Sequence, residues 1–131
     1  MKLRIRGDSI RLRLKRGEVN QLVAGTGIVE QTHFPGTVFT FCLDTTDDHN
    51  ISATFNDSRL RVSLPKLRLA DWASTDAVSM HAEQQLPGTG SLSVLIEKDF
   101  SCLEPGHFRN CEDDADTFPH PHARSRSTHP A

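Results

Sequence analysis

The stretch KLRIRGDSIRLRLK, residues 2–15, decides how the chain is read. Basic and apolar residues alternate on both sides of Gly7-Asp8-Ser9. Side chains of a strand point alternately to its two faces, so a period of two reads as strand and the break between two such runs reads as a hairpin. Lys2, Arg4 and Arg6 then share one face, opposite Leu3 and Ile5, while Arg11, Arg13 and Lys15 oppose Ile10, Leu12 and Leu14. A hairpin closed around Gly7-Asp8-Ser9 sets Arg6 beside Arg11, Arg4 beside Arg13 and Lys2 near Lys15. Seven basic residues and one acid, Asp8, thus lie between Lys2 and Arg16 in a chain whose formal net charge is -2.

Working outward, the same apolar pattern returns fifty residues later. Residues 3–28 laid over 53–78 match Ile5 with Phe55, Ile10 with Leu60, Leu12 with Val62 and Leu14 with Leu64. Val19 then falls on Leu69, Leu22 on Trp72 and Ile28 on Val78, and a small slip puts FTFCL (39–43) on LSVLI (92–96). The only identities in that first window are Arg11 with Arg61 and Leu14 with Leu64, so the repeat rests on pattern, not letters. Each half reads strand (2–6; 51–56), strand (10–14; 60–64), short helix (16–24; 66–74), then two strands (28–34 and 37–43; 77–84 and 91–98). Gly25-Thr26-Gly27 ends the first helix, and Pro65 suits the start of the second, where a missing N–H is harmless. FPGT and LPGTGS are turns, because Pro fixes one dihedral and Gly supplies a positive one. The expected fold is therefore α+β: a duplicated β-β-α-β-β unit of about eight mostly antiparallel strands and two short helices, as a twisted sheet or a barrel-like closure.

Apolar residues become scarce from residue 104, where Pro, His, Asp and Arg dominate. The expected body is residues 1–103, with halves of about 1–50 and 51–103, followed by a disordered, flexible tail over 104–131. There is no apolar run of membrane-spanning length and no apolar stretch behind the basic start, so a soluble cytoplasmic protein with reduced thiols is expected, with no membrane partner.

Like charges across a ladder repel, so the basic face needs counter-charge. One source is internal: Glu30, Asp44, Asp47, Asp48, Glu83, Glu97 or the acidic run 112–116. The mixed-charge run Glu97, Lys98 and Asp99 pairs with the hairpin, its two carboxylates supplying the counter-charge, if the first and last strands are neighbours. The other source is an external oxyanion or an acidic protein surface, which the planar guanidinium fork suits. The net charge and the absence of interleaved aromatics argue against nucleic acid as the partner. Arg4, Arg6, Arg11 and Arg13 are the candidate ligand-binding residues.

Other chemistry is sparse. Cys102, His107 and Cys111 are metal-ligating types, but their spacing matches no common zinc site, and no cofactor is expected. Cys42, between Phe41 and Leu43, reads as a buried inert thiol. The repeat sets Glu30 at the position of Met80, where a carboxylate needs a partner; a one-residue shift instead turns Val29 inward and exposes Glu30. Glu30, His33 and His81 are the proton-transfer candidates of an alternative reading, in which the arginines hold a phosphorylated or carboxylated substrate. KLRIRG lacks the alternating acids that a triphosphate tunnel needs for its metal, and no phosphate loop or nucleophile elbow is present.

IRGDSIRLRLKRGEV (5–19), DWASTDAV (71–78), AEQQL (82–86) and VLIEKDFSCL (94–103) resemble a family of short bacterial proteins with no assigned function, as does, more weakly, the EDDAD-FP region of the tail. The resemblance implies a stand-alone bacterial cytoplasmic protein and carries over no catalytic residue. The first reading is a non-enzymatic binding or interaction protein that uses the basic hairpin face.

Overall fold

The computed structural model describes residues 1–100 and 116–118. Two elements open the chain, β1 (Lys2–Ile5) and β2 (Ser9–Leu14), followed by α1 (Arg16–Val23), β3 (Ile28–Phe34) and β4 (Thr37–Thr46). The second half repeats the order with β5 (Ser52–Asn56), β6 (Arg59–Pro65), α2 (Lys66–Ser74), β7 (Ser79–Gln85) and β8 (Ser91–Lys98). The duplicated α+β unit expected from the apolar pattern is present.

The sheets are shared between the halves. Within each hairpin the strands run antiparallel, and two parallel seams, β2 with β8 and β4 with β6, join one half to the other. The result is two four-stranded sheets, β1-β2-β8-β7 and β3-β4-β6-β5. Neither closes into a barrel, which corrects the barrel-like alternative. The edges are covered piecemeal instead: the Gln84 side chain of β7 accepts from the Ala53 N–H at 2.7 Å and donates to the Ala53 carbonyl at 3.0 Å, satisfying the outer edge of β5.

One apolar core fills the space between the inner faces. Leu12, Leu14, Leu43, Val62, Leu64, Val94 and Ile96 are each at most 1% exposed. The helices add Val19 and Leu22 from α1, and Leu69 and Trp72 from α2, the same two positions in each half. In α1 the Glu18 carboxylate accepts from the Lys15 N–H at 2.9 Å, and Asp116 accepts from the Gly17 N–H at 3.2 Å, so two of the helix's unpaired N-terminal donors meet carboxylates. Its end is a Schellman turn: Gly25 adopts φ +93°, its N–H donates to Leu22, and Thr26 donates to Gln21.

The structure corrects two registers. The first hairpin pairs Lys2 with Arg13 and Arg4 with Arg11, two residues away from the expected pairing. The cause is a two-residue turn: Arg6 and Ser9 exchange backbone hydrogen bonds at 3.1 Å, leaving Gly7 (φ +55°) and Asp8 as the corner. Positive φ at the first corner residue is the type II′ pattern, whose twist matches that of the strands. A shift of two keeps every side chain on its face, so the common basic side survives. The second correction concerns β3 and β7. Ile28 pairs with Leu43 as Met80 pairs with Ile96, so Ile28 corresponds to Met80, and Glu30 corresponds to Ala82 rather than Met80. The connections after α1 and α2 are equally long, four residues each. The offset of two arises because α2 is one residue longer than α1 and Met80 is the second residue of β7 where Ile28 is the first of β3.

Residues 116–118, expected in the tail, pack on the body. Phe118 forms a bridge with Phe100, its N–H donates to the Asp99 carbonyl at 2.9 Å, and Arg16 donates to the Thr117 carbonyl at 2.9 Å.

Candidate functional site

The outer face of β1 and β2 carries the basic side chains because Ile10, Leu12 and Leu14 are taken inward by the core. Glu97 of β8, the parallel neighbour of Arg13, supplies most of the counter-charge. Arg13 donates to its Oε1 from both Nε, at 3.1 Å, and Nη2, at 3.0 Å, and Arg11 Nε lies 3.7 Å from the same oxygen. Lys2 Nζ stands 3.5 Å from the buried Asp99. The internal source of charge therefore serves Lys2, Arg11 and Arg13.

Arg4 and Arg6 are left over. Among the described residues neither has a carboxylate partner. Together with Ser9 and Arg11 they line a shallow cavity of about 140 Å³ at the turn end of the hairpin. Ser9 is held there by its own hydroxyl, which donates to the Arg6 carbonyl at 2.6 Å. Of the four arginines expected to act together, three meet at this cavity, and Arg13 is turned to Glu97. Ser9 was not legible as a lining residue, because its role follows from the two-residue turn.

The proton-transfer candidates do not converge. Glu30 lies on the inner side of the second sheet and meets the Met1 amino group at 2.9 Å, an amine that also contacts Glu18. It is half-buried and its partner is this amine, not an arginine, while Val29 on the opposite face is exposed. His33 sits on the outer face of that sheet, opposite Val38. His81 is on the outer face of the first sheet, its Nε2 2.6 Å from Glu83 and 3.1 Å from the Ser93 hydroxyl. Hydrogen bonds from Ser91 and Ser93, and then His81, hold the Glu83 carboxyl below the usual carboxylate range. This cluster is exposed, and the hydroxyl and carboxylate both approach one imidazole nitrogen. It is an ion pair when His81 is protonated, not a relay through both ring nitrogens.

Cys42 is a free, buried thiol, touched by Arg59 at 3.9 Å. Cys102, His107 and Cys111 lie outside the described residues. Among the described residues there is no group of three metal-ligating side chains, and no helix is long and apolar enough to cross a membrane.

The comparison with known families gives a match over residues 1–122, taking in both halves and the docked residues 116–118. The chain belongs to DUF7009, a family of unknown function. No curated protein and no solved structure matches it. Membership in DUF7009 brings no assigned site to this chain, so the reading of Arg4, Arg6 and Arg11 stands on the geometry above.

Proposed function

We propose that the chain is a binding protein for a small oxyanionic ligand, held on the turn end of the β1–β2 hairpin by Arg4, Arg6 and Arg11. The observation that carries this reading is the pair of guanidinium groups of Arg4 and Arg6, without a carboxylate partner among the described residues, lining one concavity. Two adjacent cations without a carboxylate partner among the described residues cost stability, and an oxyanion that accepts from both offsets that cost. The small volume favours a phosphate, sulfate or carboxylate group over a broad acidic protein surface. A cytoplasmic setting belongs to the same reading and is supported by the free, buried Cys42 thiol.

The test is thermal unfolding with inorganic phosphate against chloride at matched ionic strength, because a ligand of the native state raises the melting temperature by mass action. Phosphate is expected to raise the melting temperature of the wild type and to leave that of Arg4→Gln/Arg6→Gln unmoved. An equal rise in both proteins removes the reading.

A further inference from the structure

A second cavity lies directly behind the basic one. It has a volume of about 340 Å³ and opens between the two sheets at their turn ends. Three pairs of equivalent residues wall it: Ile5 with Phe55, Ile10 with Leu60, and Phe39 with Leu92. It therefore sits on the axis that relates the two halves. Ile10 and Leu60 are buried at its base, while Ile5 is 58% and Phe55 63% exposed at its mouth. Phe39 stacks on Phe41 with centroids 5.8 Å apart and meets Phe55 at 6.2 Å, so the aromatic wall is fixed on one side. A concave apolar surface of this size falls within the roughly 300–1,000 Å³ of small-molecule sites.

The two cavities share a strand. β1 is an edge strand of its sheet. Ile5 and Gly7 line the apolar cavity, and Arg4 and Arg6 line the basic one, so a single strand and its turn separate them. The other end of the apolar cavity, at β5, offers Thr54 and Asn56 at the positions equivalent to Arg4 and Arg6. Arg59 and Arg61 of that hairpin lie with Asp57 in a neighbouring cavity, Arg61 being 3.7 Å from Asp44. The outward edge-strand positions beside the apolar cavity are therefore charged at the β1 end and uncharged at the β5 end.

We infer that the ligand is a small amphipathic anion, whose aliphatic or aromatic body fills the apolar cavity and whose anionic head reaches over the edge of β1 to Arg4 and Arg6. This deepens the oxyanion reading and rests on it. The hydrocarbon body supplies affinity by leaving water, and the arginines set its direction. A free small molecule is the occupant rather than a bilayer, because the apolar residues form walls around a hollow and not a protruding knob.

Calorimetric titration of the full chain with straight-chain carboxylates tests the inference. Affinity is expected to rise roughly fourfold for each added methylene, from acetate towards decanoate, until the cavity is full. Arg4→Gln/Arg6→Gln is expected to weaken decanoate about tenfold and leave decanol unchanged. Ile5→Ala/Phe55→Ala, at exposed positions, is expected to weaken decanoate and leave inorganic phosphate unchanged. If phosphate binds but decanoate binds no better than acetate, the cavity is not part of the site and this inference falls while the oxyanion reading stands. If decanoate and decanol bind equally and phosphate does not bind, both fall. If the chain partitions onto phosphatidylcholine vesicles and shows no saturable decanoate site, a membrane surface replaces the small ligand and the inference is overturned.

Discussion

The hairpins β1–β2 and β5–β6 pair in the same register and differ on their outer surfaces. Inward they match closely: Ile10, Leu12 and Leu14 stand where Leu60, Val62 and Leu64 stand, and each strand forms the parallel seam with the other half. Outward they share one ion pair. Arg11 lies 3.7 Å from Glu97, and the equivalent Arg61 lies 3.7 Å from Asp44. Around that pair they part. Lys2, Arg4, Arg6 and Arg13 of the first hairpin face Ser52, Thr54, Asn56 and Ser63 of the second. Where Arg13 binds Glu97, Ser63 donates to Asp44 at 2.7 Å. The fold is thus carried by the residues the halves share, and the candidate site by Arg4 and Arg6, which only one half has, set beside the shared Arg11. The ladder pairs of the first hairpin, Lys2 with Arg13 and Arg4 with Arg11, cost what the second hairpin avoids with Ser52–Ser63 and Thr54–Arg61.

The largest effect tests the shared part. Because each sheet takes a hairpin from both halves, residues 1–50 alone are expected to show no cooperative unfolding by circular dichroism, while the full chain unfolds in one transition; an independently folded half breaks the account of the fold. Next, Leu14→Ala and Leu64→Ala, both fully buried, are each expected to cost about 2–5 kcal/mol in urea unfolding, by similar amounts. A large inequality between them means that the halves are not equivalent in packing.

The turns separate the halves more finely. Asp57 and Ser58 both hold positive φ, +50° and +60°, where the first hairpin has Gly7 and Asp8. Ser58→Gly is expected to stabilise by about 0.5–1 kcal/mol, because glycine adopts that region without the side-chain clash. Glu97→Gln and Asp44→Asn sharpen the outward comparison. Each is expected to cost about 1 kcal/mol or less, as partly exposed ion pairs do. Only Glu97→Gln is expected to strengthen phosphate binding, since it frees Arg11 and Arg13 beside Arg4 and Arg6. The smallest effect is at Glu83. A carboxyl held below its ordinary range when folded adds stability above that range and loses it as pH falls, because the unfolded chain takes up the proton first. Glu83→Gln is expected to flatten slightly the fall of melting temperature on acidification, and an unchanged slope removes that contribution.

The inward part of this comparison was legible in the sequence because burial imposes a period of two on strands and fixes two positions in each short helix. Phe41 with Val94, and Leu43 with Ile96, followed from pattern alone. The third strands did not align, because one more residue in α2 and one more at the start of β7 leave no periodic trace, and Glu30 was misplaced for the same reason. The four arginines were legible as one face. Glu97 and Asp99 were legible as partners of that face on the condition that the first and last strands meet. Which arginines Glu97 takes, and which face an open cavity, was not, since that depends on β2 rather than β1 lying beside β8, a pairing across more than eighty residues. The apolar cavity was hidden by its own likeness to core: Ile5 and Phe55 read as ordinary inward residues until the sheets' separation at their turn ends showed them open.

The most direct test compares the two hairpins within one molecule. In a phosphate titration followed by amide NMR, shifts are expected at Arg4, Arg6, Ser9 and Arg11, saturating together, with Thr54, Asn56, Arg59 and Arg61 unmoved. Equal movement of both hairpins, or movement of neither, contradicts the assignment of binding to the half that carries Arg4 and Arg6.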